Sequence, residues 1–160
     1  MNIHFVMNGM DYSHDVEPSK RLIDMLREDF RLVSVREGCG TGECGACTVI
    51  LNGDPVCSCL IAAVQVDGAE IITVDGLEQN GELDGLQKAF IEHDALQCGF
   101  CTPGVILTAK ALLAKNPLPT EEEVKRGIAG NMCRCTGYVP IVRAILSYAA
   151  TCNRQKAVYP

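Results

Sequence analysis

Apolar residues recur at short, alternating intervals in the first half of the chain and at helical intervals in the second. Residues 3–7 alternate weakly and stop at Asn8-Gly9, a dipeptide that favours a hairpin, so residues 12–16 are predicted as the return strand. A short helix is predicted over residues 20–28, with Leu22, Ile23, Met25 and Leu26 forming its apolar stripe. Residues 37–47 carry too many glycines for a regular element. Strands are predicted at 48–51 and 55–59, joined by Asn52-Gly53, and a last strand at 71–74. Hairpins, one helix and a closing strand make a small α+β unit.

The polar stretch from 77 to 85, with Asn80-Gly81 inside it, is the best boundary, dividing the chain into 1–77 and 78–160. Beyond it, helices are predicted at 86–93 and at 103–115, where Pro103 suits the first turn. Thr120-Glu121-Glu122-Glu123 has the form of a capping box and opens a third helix to about residue 129. Ile141, Ala144, Ile145 and Tyr148 mark a fourth over 140–151. The second half is therefore predicted as a four-helix domain. There is no internal repeat.

Composition narrows the function. With 48% apolar and 21% charged residues, the 160-residue chain can build cores and has no signature of disorder. A net charge of −6, few aromatics and no Trp argue against nucleic acid as a partner. No apolar run is long enough to span a membrane, and the first residues have no signal-peptide pattern. A cytoplasmic setting is expected. There, ten cysteines read as metal ligands rather than a disulfide framework.

Eight of the ten sort into two sets of four. Cys39, Cys44 and Cys47 follow C-x4-C-x2-C, the plant-ferredoxin 2Fe–2S spacing, and a fourth thiol comes from Cys57 or Cys59. Gly38, Gly40, Gly42 and Gly45 let the backbone wrap closely and turn its N–H groups toward anionic sulfur. A structural zinc site would more usually show two C-x2-C knuckles. Cys57 and Cys59, two apart on a predicted strand, would face the same side, so periodicity cannot choose between them. The second set, Cys98 and Cys101 with Cys133 and Cys135, is less diagnostic. Zinc, a second 2Fe–2S cluster and a redox dithiol all fit its spacing, although a dithiol would need a βαβ setting that is missing. Pro103 and Gly130 put these pairs at helix ends, whose free N–H groups favour thiolates.

Three longer stretches carry a family resemblance. Glu43-Cys44-Gly45-Ala46-Cys47-Thr48, Gln97-Cys98-Gly99-Phe100-Cys101-Thr102-Pro103-Gly104 and Gly130-Asn131-Met132-Cys133-Arg134-Cys135-Thr136-Gly137-Tyr138 resemble the signatures of the xanthine dehydrogenase/aldehyde oxidase family, in its iron–sulfur subunit. The match covers nearly the whole chain in the right order. It implies a β-grasp plant-type ferredoxin domain followed by a four-helix domain, each holding one 2Fe–2S cluster, with Cys59 completing the first set. It also implies partners: a large subunit carrying molybdopterin, approached by Gln97 and Cys135, and a subunit carrying FAD nearer the first cluster.

On this reading the chain relays single electrons within a molybdenum hydroxylase and has no catalytic residues of its own. A purine or other N-heterocycle is the preferred substrate of the complex. A free-standing ferredoxin-like carrier and a zinc-stabilised interaction module are the alternatives. His4, His14 and His93 are isolated and read as surface or turn residues. Cys152 reads as a spectator thiol, and Arg134 as an ion-pair residue or a contact to a partner's cofactor.

Overall fold

The computed structural model describes the backbone of residues 1–158 and the side chains of residues 1–153. Residues 159–160, the end of the second predicted domain, lie outside the described residues.

Strands β1 (Asn2–Met7) and β2 (Met10–Asp15) form the first hairpin. Asn8 and Gly9 turn it with φ of 51° and 78°, the two positive values that a tight primed turn requires. Alternation then points Ile3, Phe5 and Met7 inward. Strands β3 (Thr48–Leu51), β4 (Asp54–Cys57) and β5 (Glu70–Ile72) complete a mixed sheet in the order β2-β1-β5-β3-β4. Only β1 and β5 pair in parallel, at the centre. The core beneath is built from Ile3, Phe5, Leu22, Met25, Leu26, Val49 and Ile71.

Three sequence expectations are corrected here. The helix expected over 20–28 is a single α-turn, α1 (Leu22–Asp24), continued by a π-turn at Met25–Asp29. Its start is tied elsewhere: Leu22 N–H donates to Ile61 O at 2.7 Å and Ala63 N–H to Lys20 O at 2.8 Å, so Arg21 between them stays extended. The strand expected over 55–59 ends at Cys57, and Ser58–Leu60 forms a 3-10 turn. Ser58 causes this, because its hydroxyl donates to Cys47 O at 2.7 Å and turns the chain back over the glycine-rich loop. Cys57 and Cys59 therefore do not share a strand face. The last strand ends at Ile72, where buried Thr73 is captured by Asn8: Thr73 N–H donates to Asn8 Oδ1 at 2.9 Å.

The second half contains α2 (Gly85–Glu92), α3 (Thr102–Lys115), α4 (Glu121–Gly127) and α5 (Val139–Val158). Asp84 caps α2, accepting from Leu86 N–H at 2.9 Å, and Thr120 closes the expected capping box with Glu123. Leu86, Phe90, Val105, Ile106, Val124, Ile141 and Ile145 form this half's core. The two cores meet where Leu107 and Ala111 of α3 pack on Ile50 of β3, with Ile72, Val74 and Leu77 at the margin. Lys115 pairs with Asp54 across the same seam. Helix α3 thus lies along the sheet, which brings the two cysteine-bearing regions together.

Candidate metal centres

The glycine-rich loop gathers Cys39, Cys44 and Cys47, and the 3-10 turn after β4 adds Cys59. Gly38 lies so close to the Cys44 thiol that a Cβ there would sit 2.8 Å from its Sγ. Gly40, Gly42 and Gly45 hold φ of 67°, 79° and 68°. This winding aims the N–H groups of Thr41, Glu43 and Cys44 at Cys39 Sγ, each at 3.4 Å. Hydrogen bonds from Thr41 and then Cys44 hold the Cys39 thiol down to about 6, so an exposed thiolate is present at neutral pH. Cys47 and Cys59 are buried, and burial pushes the Cys59 thiol up to about 12. A metal held by Cys59 would have to displace that proton.

The second centre forms where the N-terminus of α3 meets the loop between α4 and α5. Cys98 and Cys135 are exposed, and their sulfurs lie 3.5 Å apart. Cys101 and Cys133 form the inner pair, Cys133 within this half's core and Cys101 packed against it. Burial pushes Cys101 up to about 12, with the Cys133 thiol adding to it. Burial also raises Cys133, but bonds from the Thr136 hydroxyl (3.1 Å) and N–H (3.5 Å) outweigh it and leave its value lowered. The Phe100 N–H, then Cys135, lowers Cys98, while the Cys98 thiol raises Cys135. Gln97 lies exposed beside Cys98.

At the second centre the outer thiols, Cys98 and Cys135, stand as a pair with sulfurs 3.5 Å apart. Around one zinc ion, four sulfurs would all lie about 3.8 Å from one another. Among the described residues no trio of His, Cys, Asp or Glu is drawn together tightly enough for a single ion. Four thiols at each centre, with N–H groups aimed at Cys39 and Cys133 sulfur, fit a 2Fe–2S cluster that they would hold. His4, His14 and His93 stay apart from both.

The centres are joined by a buried seam that sequence reasoning missed. Met132 N–H donates to Cys44 O at 2.9 Å, linking the residue before Cys133 to a first-set cysteine. Buried Asn131 donates through Nδ2 to Gly45 O at 3.0 Å and to Thr48 Oγ1 at 3.3 Å, while Thr48 also donates its hydroxyl to Gly45 O at 2.7 Å. A Cβ on Gly45 would meet Gly130 O at 2.3 Å, and one on Gly104 would meet Gly45 O at the same distance. The Phe100 ring lies close to Gly38, with the Arg36 guanidinium 5.5 Å from its centre. Asn131, Met132 and Phe100 all sit inside recognisable motifs. Nothing local to those motifs says that they reach across to the other half.

Two family matches divide the chain where these centres divide it. Residues 5–73 match the 2Fe-2S iron-sulfur cluster binding domain, and residues 73–146 match a second family described as a 2Fe-2S binding domain. The chain is 56% identical over 145 residues to the nicotinate dehydrogenase small FeS subunit of Eubacterium barkeri, covering 91% of this chain and 92% of that one. It is 45% identical over 154 residues to the xanthine dehydrogenase iron-sulfur-binding subunit of Escherichia coli, covering 94% and 96%. A chain of quinoline 2-oxidoreductase from Pseudomonas putida 86 superposes with a TM-score of 0.92 at 46% identity, covering 96% of each. The aldehyde oxidoreductase from Desulfovibrio desulfuricans superposes at 0.93 and 44% identity, covering 96% of this chain but 17% of that one. The fold, the two sets of thiols and these matches lead to one assignment: the chain belongs to the iron–sulfur subunits of the xanthine dehydrogenase/aldehyde oxidase family.

Proposed function

We propose that this chain is the electron relay of a molybdenum hydroxylase complex. Cys39, Cys44, Cys47 and Cys59 would hold one 2Fe–2S cluster within residues 1–77. Cys98, Cys101, Cys133 and Cys135 would hold the other within 78–160. When bound, such clusters supply one-electron redox chemistry, with potentials set by hydrogen bonds, charge and exposure at the sulfurs. The chain's own residues do the rest. Gly38, Gly40, Gly42 and Gly45 let N–H groups face the first set of sulfurs, and Thr136 supports the second. The hydrogen bond from Met132 N–H to Cys44 O carries the proposal, because it gives a short, fixed connection between two centres that a relay needs and a lone zinc module does not.

The exposed pair, Cys98 and Cys135, with Gln97 beside it, would face the molybdopterin of a large partner subunit. Cys39, the exposed member of the first set, would face FAD in a medium subunit. Relatives named for nicotinate, nicotine and quinoline favour an N-heterocycle as the substrate of the complex. No helix among the described residues is long and apolar enough to cross a membrane. Ten free thiols suit a reducing, cytoplasmic setting.

The test is the composition of the complex this chain draws from its native cells. About four irons per chain, with molybdenum and flavin in co-purifying subunits, is the expected result. Iron without molybdenum would turn the assignment to an independent electron carrier, and zinc in place of iron would end both.

A further inference from the structure

The first centre has one thiol more than a cluster needs. Cys57, at the end of β4, is half-buried, and its Sγ lies 3.6 Å from Gly42 O, within the loop between Cys39 and Cys44. Its place is fixed by the ladder, where Cys57 pairs with Thr48, the residue next to Cys47. Ser58, between Cys57 and Cys59, donates its hydroxyl to Cys47 O at 2.7 Å, so the strand end that carries Cys57 and the turn that carries Cys59 are both tied to the Cys47 backbone. Five cysteines therefore belong to one loop and the strand end and turn beside it, where four complete a cluster. The 3-10 turn of Ser58–Leu60 is what separates Cys57 from Cys59: it carries Cys59 inward while leaving Cys57 on the strand, still opposite Thr48.

We propose that Cys57 is a substitute ligand of the first cluster, closing the four-thiol set beside Cys47 when Cys59 does not. This rests on the iron–sulfur reading of the first centre. The exchange needs no oxidant or reductant. Cys57 would give up its thiol proton to solvent on taking the iron, and Cys59, on releasing it, would take up a proton as a free thiol. The Cys57 sulfur already lies against the loop, 3.6 Å from Gly42 O, two residues along the chain from Cys59. A thiol held in reserve would let the first centre complete itself during cluster insertion from either of two neighbouring positions.

The experiment uses the 160-residue chain, reconstituted anaerobically with ferrous iron and sulfide, as wild type, Cys57→Ala, Cys59→Ala and the double variant. Iron content and the paramagnetic resonance of the reduced protein are read, and the second cluster's signal reports an intact fold. Wild type without iron would sink the parent assignment, which separates that failure from this one. Cys59→Ala is expected to keep about four irons with the first cluster's g-values displaced, while Cys57→Ala/Cys59→Ala falls to about two. If Cys59→Ala alone falls to the double variant's level with the second signal intact, Cys57 is no ligand. Loss of the first cluster in Cys57→Ala alone would also overturn the proposal, because Cys57 would then be the ordinary ligand. Should Cys59→Ala fail to fold, Cys59→Ser with and without Cys57→Ala tests the same dependence on Cys57.

Discussion

Cys39, Cys44 and Cys47 reach their positions within one loop, whereas Cys98 and Cys101 meet Cys133 and Cys135 only once α3 and α4 have folded between them. The first centre is shaped by backbone. Positive φ at its glycines turns three N–H groups onto one sulfur. The second is shaped by packing: its inner pair, Cys101 and Cys133, sits against the helical core, and its outer pair stays at the surface. The lesson is that a local site is secured by conformational freedom and a distributed site by the stability of the elements that carry it. The seam at Asn131 and Met132 makes each depend on the other.

Gly45→Ala should break the comparison most severely, because it strikes both centres at once. An alanine at φ 68° is strained by about 1–2 kcal/mol, and its Cβ would meet Gly130 O at 2.3 Å, adding about 1–3 kcal/mol of overpacking. The expected outcome is a fall of about 10 °C in melting temperature, with bleaching of both clusters, followed by circular dichroism and visible absorption. A wild-type melt would show that the seam is not tight. Cys101→Ala should come next and act on one centre only: iron falls from about four to about two per chain, and the signal that remains is the first cluster's. Loss of both signals would mean that the first centre cannot stand without the second.

Asn131→Ala sharpens the comparison rather than breaking it. Gly45 O keeps the Thr48 hydroxyl and loses the donor from the other half, at about 0.5–1.5 kcal/mol. Both clusters should load, with a melting point lower by a few degrees and weaker magnetic coupling between them. Unchanged coupling would deny Asn131 a positioning role.

The smallest effect concerns acid. Hydrogen bonds from Arg21 hold the Asp24 carboxyl below the usual carboxylate range, and Arg21 also pairs with Glu37 at the start of the first loop. Because the folded value lies below the unfolded one, this stabilisation is complete above about pH 4 and is lost as pH falls through the folded value. Arg21 is more than a third exposed, so the gain is at most about 1 kcal/mol. Arg21→Met should lower neutral-pH stability slightly and narrow its gap to wild type below pH 4, measured by urea unfolding. A gap that widens in acid would reverse the sign.

The sequence was most legible where chemistry depends on neighbours in the chain. Asn8-Gly9 and Asn52-Gly53 announce their turns, Thr120 its cap, and the C-x4-C-x2-C loop its thiols. It was least legible where a distant group decides. The strand expected to 59 ends at Cys57 because Ser58 bonds back to Cys47 O, and the helix expected at 20 starts later because residues 61 and 63 bond to Leu22 and Lys20 and hold Arg21 between them extended. Asn131 is the clearest case. Its motif was recognised, but its partners at Gly45 and Thr48 lie on the other half of the molecule.

The most direct test is paramagnetic resonance of the reduced, iron-loaded chain with iron and sulfide counted on the same sample. Two distinct one-electron signals, about four irons and about four sulfides per chain, and magnetic interaction between the signals are expected. A single signal, or zinc at either set of thiols, would contradict the account of two joined clusters.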